Sequence, residues 1–376
     1  MSRSTVLWAL VALVAAQPAS AQLQAAHGLG GGVQFQGYSF SDGLGAQAAN
    51  LLTIPVAYRQ DFSSRVSAEI SGGWARGSVE REGRRFLLQG PLDTRVRASM
   101  RTTPWSVVTV GVNLPTGKSA HSLQEAVVAS VLATDMLGFR EANWGTGFGV
   151  TTGVAATQKV GAWGLGMGAS YRLAGSYEPR SEEDLEYTPG DELRLRVGLD
   201  RNVGESGRFT AGVTYQRFAT DEANDRNLFQ AGNRVRLDGS YAFRLGGSTW
   251  TAFAANLWRD NGDLTLDLVD TAGQIVGDTT LVTSSQNLFV AGFQGSVPVG
   301  TGFRIRPAAD VRFQDRDEGV GSGWLASFGG DVPLRLYGRY EVFPRAALTV
   351  GNLEGRDAFR AGFWGGEVGV TVRLRP

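Results

Sequence analysis

Three regularities in the 376-residue sequence predict an all-β fold, a transmembrane antiparallel β-barrel of about sixteen strands, with fourteen as the alternative count. Apolar and polar residues alternate with period two along most of the chain, so a strand built from them has one greasy and one polar face. Many of these runs exceed about ten residues, the length a tilted strand needs to cross a bilayer, whereas strands of soluble sheets average about five or six. Short connections alternate with mostly longer, polar ones, the pattern of a barrel with tight turns on one side of a membrane and long loops on the other.

The amino terminus reads as an export signal over residues 1–21: Arg3, an apolar run from Val6 to Ala16, and small residues at Ala19 and Ala21. The run is too short to span a bilayer as a helix, and no later stretch approaches about eighteen apolar residues. Residues 22–376 are then the barrel, placed in the outer membrane of a Gram-negative-type bacterium. Thirty-six Lys and Arg balance 36 Asp and Glu, which argues against a nucleic-acid partner. With no cysteine, disulfides, thiolate chemistry and zinc-thiolate sites are excluded.

In chain order the runs fall near 29–40, 50–61, 64–78, 84–102, 105–115, 142–158, 160–177, 190–202, 207–218, 230–244, 248–259, 286–298, 302–315, 322–334, 340–351 and 361–375. "DELRLRVGLD" (Asp191 to Asp200) shows the pattern: Leu193, Leu195, Val197 and Leu199 face lipid, and Arg194, Arg196 and Asp200 face a polar lumen. The reverse would set arginine against acyl chains at about 2–4 kcal/mol near the midplane. The same logic turns Arg65, Glu69, Arg95, Arg97, Arg101, Arg172, Glu192, Arg234, Arg236, Asp238, Arg304, Arg306, Asp310, Arg312, Glu367 and Arg373 inward. Thirteen inward arginines against six inward acids leave two readings open: a basic lumen favouring anions, or Arg–carboxylate pairs that brace the wall.

The short connections include "FSS", "TTP", "LGGS" and "VGTG"; the longer ones include "SDGLGAQAA", "EPRSEEDLEYTP" and "ATDEANDRNL". Within Asp260 to Ser285, "LTLDLVD" and "QIVGDTTLV" fit either an external hairpin or two further short spans. Trp105, Trp163 and Trp250 fall near short turns, and Trp74, Trp144, Trp258, Trp324 and Trp364 near long-loop ends, which reads as two interfacial girdles.

One segment, Ser122 to Phe139, breaks the strand pattern. Ser122 and Glu125 make a capping box, and Gly138 suits a helix-closing position. The helix between them carries Leu123, Val127, Val128, Val131, Leu132, Met136 and Leu137, apolar almost all round, and such a helix is normally buried. Burial in the barrel mouth or lumen, as a constriction, is one solution; packing on neighbouring external loops is the other.

Candidate chemical motifs are weak. Gly117-Lys118-Ser119 matches the end of a phosphate loop, but Val112 stands where the first glycine belongs. His27 and His121 are the only histidines, with no nucleophile paired to either, so a catalytic site and a transition-metal site are not indicated. Glu178, Glu182, Glu183, Asp184 and Glu186 lack the ordered spacing of a calcium loop.

"VNLPTGK" (Val112 to Lys118), "WGTGFGV" (Trp144 to Val150) and "YTPGDELRLRVGLD" (Tyr187 to Asp200) resemble the outer-membrane family associated with the meta pathway of phenol degradation, loosely grouped with FadL-like barrels. The resemblance spans about 90 residues. It implies passive uptake of small molecules, aromatic or apolar compounds among them, without a cofactor. The chain departs from FadL in lacking an amino-terminal plug, and "VRLRP" replaces the aromatic end by which the barrel-assembly machinery usually recognises such chains. The expected partners are outer-membrane lipids, that machinery and a small-molecule solute. Two other classes stay open: a membrane-embedded hydrolase, and a structural or adhesive surface barrel with an occluded lumen.

Overall fold

The computed structural model describes residues 28–41, 45–141, 143–269, 275–300, 302–317, 321–336, 338–355 and 360–374. Residues 1–21, read from sequence as an export signal, and His27 fall outside them. Sixteen antiparallel strands form one closed sheet. They are β1 (Gly28–Phe40), β2 (Ala48–Asp61), β3 (Val66–Arg81), β4 (Arg84–Thr103), β5 (Ser106–Leu114), β6 (Gly149–Val160), β7 (Trp163–Ala174) and β8 (Glu192–Val203). The ring continues through β9 (Gly207–Phe218), β10 (Arg234–Leu245), β11 (Ser248–Arg259), β12 (Gln286–Val299), β13 (Phe303–Arg316), β14 (Gly323–Asp331 with Leu334–Leu336), β15 (Tyr340–Glu354) and β16 (Arg360–Leu374). Each strand pairs with its sequence neighbours, and β1 pairs with β16 from Leu29↔Leu374 to Phe40↔Phe363. Closure leaves no open edge, the condition for a sheet in hydrocarbon.

The period-two pattern becomes an exposed apolar band. On β8 the outward residues are Leu195, Val197 and Leu199; on β13, Val311 and Phe313; on β16, Val368, Val370 and Val372. The break in β14 falls at Val332-Pro333, where proline brings no N–H to the ladder. The connection from β3 to β4 is shorter than the loop pattern suggests. Glu82 (φ 52°) and Gly83 (φ 71°) form a two-residue turn of the kind that matches strand twist, and projection comes from the length of the two strands instead.

The region from Asp260 to Ser285 is the external hairpin, not two further spans. Its strands, Gly262–Val269 and Ile275–Thr283, join Arg226–Gln230, Thr220–Ala223 and Tyr187–Thr188 in a five-stranded sheet outside the ring. Three successive long loops thus share one sheet, because a strand of each pairs with an edge strand of the next.

The core of the molecule lies inside the long-loop end of the barrel. Tyr38, Leu51, Val79, Leu88, Leu325 and Phe363 of the wall pack around Val128, Leu132, Met136, Leu137, Phe139 and Trp144 of the β5–β6 connection. One boundary and one girdle assignment read from sequence change as a result. Strand β6 starts at Gly149, not near 142, because residues 144–147 are held by β4 (below). Trp144 is fully buried, with its indole N–H donating to the Ala75 carbonyl at 3.0 Å, so it is no part of an interfacial girdle.

Candidate functional site

The β5–β6 connection leaves the wall at Pro115 and returns at Gly149, and both of its ends are tied to one residue of β4. Asp93 Oδ1 accepts from the Gly117 N–H at 2.9 Å; its Oδ2 accepts from Asn113 Nδ2 and the Thr146 N–H, both at 2.7 Å. The Asp93 N–H donates to the Trp144 carbonyl (3.0 Å), the Lys118 N–H to the Pro91 carbonyl (3.1 Å) and the Thr94 N–H to Thr116 Oγ1 (2.8 Å). Strand β5 covers β4 only from Thr94 onward, so these contacts occupy the edge that β5 leaves open. A Cβ on Gly117 would overlap the Trp144 carbonyl and the Asp93 backbone, which is why glycine stands there. The "LPTG" and "WGTG" residues are thereby one clasp. Asp93, which nothing in the sequence singles out, is its centre.

Between the ends of the clasp lies helix α1 (Leu123–Leu132). Its capping box is formed as read: the Glu125 N–H donates to Ser122 Oγ at 3.3 Å, and the Ser122 N–H to Glu125 Oε2 at 3.1 Å. The helix stops at Ala133, five residues before the closing position read from sequence. Gly138 (φ +61°) belongs to a following turn, where its missing Cβ makes room for Arg312. Val128, Leu132 and Met136 are buried, Val127 and Val131 partly so, and Leu123 is exposed.

Beyond the helix the chain reaches several parts of the wall. Leu137 accepts from the Tyr38 hydroxyl of β1 (3.0 Å), and the Arg140 N–H donates to Gln36 Oε1 (2.9 Å). The Arg140 guanidinium pairs with Glu367 of β16, which Arg345 of β15 also meets at 3.2 Å. Arg312 of β13 reaches the Met136 carbonyl, and Gln286 of β12 donates to Asp135 at 3.2 Å. A segment bonded to β1, β3, β4, β12, β13 and β16 at once can lie only within the ring.

Two ionisable groups at the start of the segment are shifted. Burial opposes ionisation of Glu125, but Lys118 and the Ser122 N–H outweigh it and hold the carboxyl below its usual range. Burial lowers the pKa of His121, which is bridged to Arg180 through the backbone.

The charged residues read from the strand pattern fall as follows. Arg196 forms a bidentate pair with Asp238 (2.8 Å twice), and Arg236 lies 3.8 Å from the same carboxylate. Asp200 takes Arg208 at 3.1 Å, Asp310 takes Arg312 at 3.1 Å, and Arg306 pairs with Asp331. Glu69 stands directly opposite Arg97 on the neighbouring strand, and Arg95 stands opposite Ser71 and Asn113. Arg304 donates to Ser296 Oγ at 3.0 Å. Arg65 sits exposed in the turn before β3, and its carbonyl accepts from the Arg101 N–H at 2.7 Å. Arg194 pairs with Glu192 at 2.8 Å, whereas Arg234 lies against the Phe218 ring at 4.9 Å. Two arginines that the sequence reading passed over, Arg259 and Arg316, both donate to Gln286 Oε1, at 2.7 and 3.3 Å. They end their strands, outside the alternating blocks.

The chain matches no family model, and no well-characterised protein sequence matches it. Among solved structures it is similar to a TodX monoaromatic hydrocarbon channel lacking S2 and S3, at 11% identity over 95% of this chain and 92% of that one, TM-score 0.48. It is also similar to a mutant Rh. blastica porin, at 13% identity over 92% and 99%, TM-score 0.38. A third is a loop-deleted OmpT, an outer membrane protein of Vibrio cholerae, at 9% identity over 91% and 98%, TM-score 0.38. The family resemblance of the clasp motifs therefore rests on those residues alone.

Proposed function

We propose that this outer-membrane barrel is a passive channel for small molecules, narrowed by the segment that runs from the clasp through α1 to Arg140. The observation that carries the reading is the inward course of that segment. An ordinary surface loop would not be bonded to six strands of the wall, nor bury Leu132, Met136 and Trp144 within the ring. An apolar element beside a polar wall offers a solute with an aromatic or aliphatic body both a contact and a path, as the resemblance to the phenol-degradation family implies. Substrate selection then follows from the width left beside the segment and from the charges facing it.

Liposome swelling tests this directly. Vesicles carrying the folded protein should swell in small sugars, organic acids and aromatic alcohols at rates that fall with solute size. Swelling no faster than in protein-free vesicles, for every solute, would favour the occluded structural barrel.

A further inference from the structure

Strand register places a row of cations at the outer rim of the inner wall. Arg234 of β10 stands opposite Arg259 of β11, Arg259 opposite Gln286 of β12, and Gln286 opposite Arg316 of β13. The same row continues backwards through Gln216 of β9 to Arg194 of β8. Neighbouring strands are about 4.8 Å apart, and like charges directly opposite each other destabilise a sheet. Arg194 is neutralised by Glu192. Arg234, Arg259 and Arg316 are not: among the described residues, no carboxylate oxygen comes within 4.0 Å of their nitrogens. The Nε atoms of Arg234 and Arg316 are buried without a hydrogen-bond partner. Several other arginines of this wall are paired with acids, as Arg196, Arg208, Arg306, Arg312 and Arg345 are, while Arg304 bonds to Ser296 instead. The rim row differs in gathering Arg234, Arg259 and Arg316, none within ion-pair distance of an acid, around one glutamine, Gln286.

The protein marks where an anion would sit. Asp135, on the turn after α1, accepts from the Gln286 amide at 3.2 Å and acts on Arg234 and Arg316 only through space, with no ion pair within 4.0 Å among the described residues. Below the row the next inward residues are apolar on β11 (Leu257) and β12 (Leu288 and Val290), in or against the cluster around the inward segment, and polar on β10 (Arg236) and β13 (Gln314). Phe218 supplies an aromatic face against Arg234. Guanidinium forks match the plane of a carboxylate and bind it in a bidentate manner, while the apolar side chains and ring suit a hydrocarbon body attached to it.

We infer that Arg234, Arg259, Arg316 and Gln286 form a binding site for organic monocarboxylates with an aromatic or aliphatic body, for which Asp135 is the tethered competitor. The inference rests on the channel reading for its physiological sense, and it names the solute class of that channel. The entering carboxylate takes the guanidinium donors left unfilled, and its body lies against Phe218 and the partly buried Leu257.

Binding is measurable without transport. The full-length folded protein in detergent is titrated with 4-fluorobenzoate, followed by ¹⁹F NMR, with 4-fluorobenzyl alcohol and inorganic phosphate as comparisons. The expected result is saturable binding of the benzoate, weakened at least about tenfold in Arg259→Gln, since hydrogen bonds to charged groups are the strong ones. Asp135→Asn, which removes the competitor and leaves the arginines in place, should tighten binding. Equal binding of the alcohol, phosphate competing as well as benzoate, or an unchanged affinity in both folded variants would overturn the site. Because this readout needs no conduction, a barrel that binds benzoate yet passes no solute would refute the channel and leave the site standing.

Discussion

Asp93 does at one position what several residues of a loop usually share. Its two oxygens take the Gly117 and Thr146 amides and the Asn113 side chain, so one carboxylate fixes both ends of a long connection. Hydrogen bonds to a charged acceptor contribute about 1.5–3 kcal/mol each, and losing one partner leaves buried donors unsatisfied. Asp93→Ala should therefore free the segment while the ring stays closed. In the folded protein, trypsin cleavage after Lys118 and Arg140 should accelerate at least about tenfold, the effect of roughly 1.4 kcal/mol of local opening. Cleavage at the native rate would show that the clasp is held by other contacts. Nothing in the sequence reveals this role, because the three partners lie 20, 24 and 53 residues away along the chain. The arginines of the rim row were legible only in part for a related reason. Arg194 and Arg234 stand within alternating blocks, whereas Arg259 and Arg316 end theirs, and only register brings Arg234, Arg259 and Arg316 into line.

At the scale of elements, strands and helix differ in what the sequence discloses. Lipid on one side and polar groups on the other impose a strict period of two, so the barrel strands could be found to within a few residues, save the start of β6, which lies at Gly149 rather than near 142. The start of α1 was equally plain, since a capping box is a local pattern. Its end was not. Ten residues make a marginal helix in isolation, and α1, which packs on β2, β3 and β4, ends at Ala133 rather than at the next glycine. Trp144 misled for a similar reason: a tryptophan before a strand looks the same whether the chain approaches from the membrane interface or from inside the ring. The helix orientation can be checked cleanly because the chain has no cysteine. Leu123→Cys, at 57% exposure, should react quickly with a polar maleimide added to the folded protein, and Val128→Cys, at 0%, should stay protected. Comparable labelling of both would mean that α1 does not pack on the wall as described.

For the molecule as a whole, three designs coexist. A closed ring satisfies the backbone in hydrocarbon, a small sheet shared by three loops stands apart from that ring, and the β5–β6 segment holds the hydrophobic core that a hollow barrel otherwise lacks. The sequence showed the ring because its physics is periodic; the shared sheet stayed hidden because alternation marks a strand without naming its partner. Charge is arranged accordingly, with paired ions along much of the inner wall and an unneutralised row at the rim. The central claim is that the inward segment narrows a conducting lumen, and planar-bilayer recording tests it most directly. Residues 121–139 are replaced by a short Gly-Ser bridge, leaving Asp93, Gly117 and Thr146 to hold the ends. Single-channel conductance should rise and solute selectivity should relax in a variant that keeps the folded barrel. Conductance equal to that of the native protein would place the segment outside the path and contradict the account.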